Sequence, residues 1–317
     1  MAVLNRLEAD DFVARGGNAD GFRIITIIKK PGRSEAMAKK IAFVTICVVA
    51  AAASAALGAF ASATVTIPPG EAGAKAALER SPRHHEWVDI SVPGREGKVA
   101  AFVAYPERKE KAPVVIVIQE VYGLSDWIRG VADQLAADGF IAIAPDFLSG
   151  KGPGGGGTDK FASRDAVVKA VQGLTTADVV SVLDAVGRYG KGLPASNGKL
   201  GTVGFCWGGG QSFGYATMHP DLGAAVVYYG VSPDLDALGA VRAPVLGLYG
   251  GDDARVNATV GPAAAKMKEL GKTFIEHTYP GAGHGFLRAQ DGRDGANLAA
   301  SGKAWRETTG FLKKYLE

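Results

Sequence analysis

From residue 86 onward the chain alternates short apolar runs with stretches of helical spacing, almost without a break. The runs at 114–118, 140–144, 200–205, 224–229, 245–249 and 274–279 read as continuous rather than alternating, the pattern of parallel strands covered on both faces. Two earlier segments, 87–92 and 99–105, alternate in polarity and are joined by P-G-R-E-G-K, which predicts an antiparallel hairpin at a sheet edge. Helical spacing recurs over 126–138, 177–189, 207–218 and 261–270, and a last helix is predicted over 298–315. This order predicts the α/β fold class, with a mostly parallel sheet of about eight strands and helices on both faces.

The N-terminal quarter follows other rules. Residues 37–63 read M-A-K-K, then an apolar run, then A-S-A, the three-part layout of a secretory signal. Roughly 20 apolar residues can also span a bilayer, so an uncleaved anchor is the alternative. The wealth of alanine and the A-x-A ending, with no basic flank after it, favour cleavage and predict a periplasmic or secreted protein with no membrane contact once cleaved. Residues 1–36 show no clear periodicity and precede a second methionine, so they read as an upstream extension without regular structure. Residues 64–84 read as a linker, and 85–317 as one domain.

Charge narrows the function classes. Without residues 1–63 the basic and acidic side chains are equal in number, which excludes the basic excess a nucleic-acid partner requires. No paired Cys/His spacing implies a metal, and no cofactor is implied either. The glycine-rich stretch 149–158, S-G-K-G-P-G-G-G-G-T, lacks the Lys-Ser/Thr of a phosphate cradle and reads as a cover or plain linker. Of the two cysteines, Cys47 lies in the signal segment, so Cys206 is left without an intramolecular disulfide partner.

Cys206 stands in V-G-F-C-W-G-G-G, after an apolar strand and before a helix. That is the context of a nucleophile elbow, with cysteine where G-x-S-x-G has serine. A sharp turn there needs small residues two before and two after the nucleophile, and Gly204 and Gly208 supply them. Gly209 and Gly210 would let the helix approach the sheet. The helix N-terminus would favour the thiolate, and the Trp207 N–H would form half of an oxyanion hole. The other reading of Cys206 is a small buried hydrophobe beside loop-closing glycines.

A nucleophile needs a base and an orienting acid. Of the five histidines, His84, His85, His219 and His277 sit in positions that suit surface or structural roles, whereas His284 lies in the loop G-A-G-H-G-F just beyond a strand. Between nucleophile and histidine, Y-G-G-D-D-A-R-V offers Asp252 and Asp253 after another strand, and adjacent residues point in different directions. Nucleophile, acid, histidine is the chain order of the α/β-hydrolase fold. Glu120, following an apolar run, is either a solvated loop residue or a carboxylate with a partner.

From residue 85 to the C-terminus the chain resembles the dienelactone hydrolase family, cysteine members of the α/β-hydrolase superfamily. The motifs are I-V-I-Q-E-V-Y-G-L at 116–124, I-A-P-D at 143–146, G-F-C-W-G-G at 204–209, G-G-D-D-A-R-V at 250–256 and G-A-G-H-G-F-L-R at 281–288. The resemblance implies that Asp253, at the head of D-x-x-V, is the triad acid, that Glu120 contacts the resting thiol, and that the Val121 N–H is the second oxyanion donor. It also implies that Arg288 holds a substrate carboxylate, with Arg164 as the arginine available for the family's second position. The tyrosine the family places in that segment is absent from 150–188. The implied function is hydrolysis of a small ester or lactone, carboxymethylenebutenolidase-like and carboxylate-bearing if Arg288 plays its family role, through an acyl-enzyme. A broad carboxylesterase or thioesterase is one alternative, and a non-catalytic thiol protein for redox or ligand binding is another.

Overall fold

In the computed structural model, which describes residues 12–19, 22–29 and 66–317, the first stretch pairs as an antiparallel hairpin of β1 (Phe12–Ala19) and β2 (Phe22–Lys29). This corrects the expectation that 1–36 lacks regular structure. The run F-R-I-I-T-I-I-K is rich in β-branched residues, and D-G stands between the strands in sequence, the dipeptide two-residue hairpin connections favour. The signal segment 37–63 lies outside the described residues. Among the described residues no single helix is long and apolar enough to cross a membrane.

Val65–Glu317 forms a separate unit. It opens with α1 (Glu71–Glu79), inside the stretch read as a linker. This too is a correction: nine residues are too few for a stable isolated helix, so α1 owes its order to docking. The hairpin of β3 (His85–Ser91) and β4 (Lys98–Ala104) follows, then β5 (Ala112–Ile118), α2 (Asp126–Ala137) and β6 (Ile141–Pro145). Next come α3 (Arg164–Gln172), α4 (Thr176–Gly192), β7 (Ser196–Phe205), α5 (Trp207–Met218) and β8 (Ala224–Tyr228). The chain ends with β9 (Val245–Gly250), α6 (Ala254–Glu269), β10 (Phe274–Tyr279) and α7 (Ala296–Leu316).

The strands form one eight-stranded sheet in the order β10-β9-β8-β7-β5-β6-β4-β3. β3 and β4 pair antiparallel, as do β4 and β6, and the remaining neighbours are parallel. β5, β6, β8 and β9 are buried along their whole length, which follows from their unbroken apolar runs. One core layer joins the sheet to α2 and α7 through Trp127, Leu135, Trp305 and Leu312. The other joins it to α4, α5 and α6 through Leu183, Phe213 and Met267. This is the mostly parallel α/β sheet the alternating pattern predicts, in the α/β-hydrolase arrangement the resemblance implies.

Two elements depart from their expected form. β10 was expected as a covered strand but lies at the sheet edge, with Ile275 38% exposed; Glu276, His277 and Thr278 suit it to water. α6 begins well before the expected 261, because Asp253 caps it and Pro262 sits inside on its exposed side.

Candidate active site

The C-terminal edge of the parallel strands is where an open α/β sheet presents its loops, and the site forms there. β7 stops at Phe205 and α5 starts at Trp207, so Cys206 alone makes the turn, with φ 55° and ψ −114°. A cysteine in that region is strained and is held only because its surroundings determine it. A Cβ at Gly204 would stand 1.9 Å from the Gly208 carbonyl oxygen, and one at Gly208 would stand 2.3 Å from that of Gln119. The glycines are therefore the condition for the turn.

Three loops then converge. His284, beyond β10, places Nε2 3.1 Å from Cys206 Sγ and Nδ1 2.5 Å from Asp253 Oδ2. Asp253 is 7% exposed at the end of β9. Its neighbour Asp252 turns the other way and pairs with Arg293 at 2.7 Å. Cys206, His284 and Asp253 thus stand in the geometry of a nucleophile, base and orienting acid. The backbone N–H groups of Trp207 and Val121 are turned toward the sulfur, where they favour its anion. The remaining histidines sit elsewhere. His85, within β3, meets Asp133 at 2.6 Å, and His277 faces Glu307 at 3.4 Å.

Electrostatics change one expectation. The helix N-terminus was expected to favour thiolate, yet burial first, and then the negative charge of Glu120, push the Cys206 thiol up to about 11. Desolvation of the anion outweighs the N–H groups and the nearby Arg255. Burial thus favours the thiol over the thiolate at this sulfur.

Glu120 is almost fully buried, and burial pushes its carboxyl up to about 7 against the pull of Arg288. Among the described residues it makes no hydrogen bond to the thiol, and it forms an ion pair with Arg288, Oε2 to Nε 2.7 Å. The angle of that pair is not that of a hydrogen bond, and Glu120 Oε2 retains an unused acceptor. Arg288 and Arg164 come together around a residue of the chain itself. Glu71 of α1 meets Arg288 Nη1 at 2.5 Å and Arg164 Nη2 at 3.2 Å.

Beside the thiol opens a cavity of about 410 Å³, lined by Val121, Trp207, Tyr229, Val231, Pro233 and Arg255 among others. The glycine-rich loop does not cover it. The Asp146 carboxylate gathers that loop by accepting from the Thr158 N–H and hydroxyl at 2.7 Å each, and the loop borders a different hollow with Trp87 and Arg129.

Sequence reasoning missed four residues here. Glu71 carried no signal in a stretch read as a linker. Tyr122, in Q-E-V-Y-G, lies under the guanidinium of Arg164, 3.5 Å from its ring centroid, with that of Arg288 over the same ring at 5.1 Å. Arg255 was visible only as a letter of the D-A-R-V motif. Tyr229 has φ 39° and packs edge-on against His284, ring centroids 5.2 Å apart; its buried hydroxyl has no hydrogen-bond partner among the described residues.

Comparison with known proteins agrees with this geometry. The chain is 30% identical over 246 residues to a protein of Methylorubrum extorquens that carries the provisional name carboxymethylenebutenolidase, covering 72% of this chain and 80% of the relative. A Salmonella typhimurium protein with the same provisional name is 30% identical over 270 residues, covering 80% of this chain and 98% of the relative. A Klebsiella pneumoniae crystal structure provisionally titled a dienelactone hydrolase superposes with a TM-score of 0.63 at 29% identity, covering 73% of this chain and all of that one. The family model described as "Dienelactone hydrolase family" matches residues 99–316, from β4 through α7, a span that holds the elbow, the acid and the histidine. With the strand order, the elbow and the matching span in agreement, the chain belongs to the dienelactone hydrolase family.

Proposed function

We propose that the chain hydrolyses a carboxylic ester or lactone through an acyl-enzyme on Cys206. The observation that carries this is the strained Cys206 held 3.1 Å from His284, with Asp253 on the far side of the imidazole. The Cys206 proton passes to His284 Nε2 as sulfur attacks the carbonyl carbon, and Asp253 stabilises the resulting imidazolium. The N–H groups of Val121 and Trp207 receive the developing oxyanion; loss of one such donor typically raises a barrier by about 3 kcal/mol. Collapse breaks the C–O bond, and His284 returns its proton to the leaving alkoxide. In a lactone that alcohol stays attached to the acyl chain. Water, deprotonated by His284, then attacks the thioester, releases the acid and restores the thiol.

The relatives' provisional name denotes a butenolide lactone bearing a carboxymethylene group, and it supports lactone chemistry. The largely apolar walls of the cavity at Cys206, Val121, Val231 and Pro233, favour broader esterase activity as a second reading. Rapid-quench mass spectrometry with an aryl ester and a lactone tests both. An acyl mass on Cys206, absent in Cys206→Ala, is expected; turnover that persists in Cys206→Ala would refute the mechanism. The layout of 37–63 supports export with cleavage near Thr64, which the N-terminal mass of the mature protein tests.

A further inference from the structure

We propose that Glu71 is a specificity-determining residue. It fills, with a carboxylate of the chain's own, the arginine site that would otherwise take a substrate carboxylate, so that the cavity at Cys206 selects neutral acyl groups. The inference rests on the ester-hydrolase reading above. Each Glu71 oxygen faces one guanidinium, Oε2 to Arg288 at 2.5 Å and Oε1 to Arg164 at 3.2 Å, as a bound carboxylate ligand would. Tyr122 lies against both guanidiniums and fixes their positions.

With Glu120 ionised, the arginine site is already balanced. Arg288 and Arg164 face Glu71 and Glu120, two cations against two carboxyls. A substrate carboxylate would add uncompensated negative charge beside a Glu120 whose burial already disfavours its anion. It would have to displace Glu71.

Displacement is opposed because Glu71 is tethered. Its N–H donates to the Arg288 carbonyl at 2.9 Å, and Gln290 Nε2 donates to the Pro68 carbonyl at 2.8 Å. Ala74, one turn on, is fully buried in the core layer that includes α2. Gly130 of α2 faces this segment, where a Cβ would stand in ordinary contact, 3.4 Å from Pro69 and 3.8 Å from Ala74. A group tethered in this way presents itself at an effective concentration of about millimolar or more, which a free carboxylate at micromolar levels does not match. Neither Arg288 nor Arg164 lines the cavity at Cys206, whose one cation is the exposed Arg255.

The test compares a monoaryl succinate with the aryl pentanoate on the full chain, Glu71→Gln, Glu71→Ala and Glu71→Ala/Arg164→Ala. The Glu71 variants are expected to raise kcat/KM for the succinate by about tenfold and leave the pentanoate within about twofold, and Arg164→Ala to reverse the gain. An unchanged ratio, or an equal loss on both esters, would make Glu71 structural and overturn the proposal. Calorimetric titration with free succinate separates this from failure of the hydrolase reading. Succinate binding at least about tenfold tighter in Glu71→Ala than in the parent supports the proposal even if no ester is turned over, and equal binding overturns it.

Discussion

Glu120 holds a carboxyl where water does not reach it, and this has a consequence for stability as well as for Cys206. Burial raises it from an ordinary 4.5 to about 7, so between those pH values the folded chain keeps a proton that the unfolded chain has released. The folded state binding the extra proton means that stability falls as pH rises through that window and levels off above it. The full effect is about 3 kcal/mol. Glu120→Gln should therefore show a flatter thermal midpoint between pH 5 and 7 than the parent in paired melts; parallel profiles would mean that burial does not raise this carboxyl. The same substitution removes a charge that holds the Cys206 thiol up. Alkylation of Cys206 by iodoacetamide at pH 8 should accelerate severalfold, and a slower reaction would contradict the electrostatic role of Glu120.

At the scale of elements, the elbow is the most constrained turn in the molecule. Gly204→Ala forces a Cβ into the Gly208 carbonyl, backbone against backbone, with no flexible side chain to yield. A loss of about 3 kcal/mol is expected by urea unfolding, at the upper end of overpacking effects. A near-neutral result would mean that β7 and α5 can separate, and the φ of Cys206 would then not be imposed by the glycines. α1 makes the opposite case, a helix whose order depends on docking. Ala74→Asp would bury an unpaired charge against α2 and should release the segment. Limited proteolysis would then cut within 66–80 while the rest of the domain stays intact. The elbow was legible from its glycines and its place between a strand and a helix; α1 was not, because nine alanine-rich residues look alike whether docked or free.

Across the whole molecule, the sheet is closed by contacts between distant parts of the chain. Trp305 of α7 is fully buried and donates through Nε1 to Asp138, the C-cap of α2, at 2.8 Å across 167 positions of sequence. Trp305→Ala should lower stability by about 3–5 kcal/mol, measured by denaturant unfolding. Below the unfolding transition it should leave the alkylation rate of Cys206 unchanged; a change in that rate would show that α7 shapes the site as well as the core.

The sequence by itself determined the strand succession, the elbow at Cys206 and the chain order of Cys206, Asp253 and His284. Each of these is written in local form: an apolar run, a pair of glycines, a motif at a strand end. Only the tertiary structure decided that Glu120 pairs with Arg288 rather than with the thiol, that the thiol is held high rather than low, and that Glu71 reaches across 217 positions to occupy the arginines. The physical reason is that burial and charge pairing belong to places in space. Residues that meet there leave no mark on one another's neighbours along the chain.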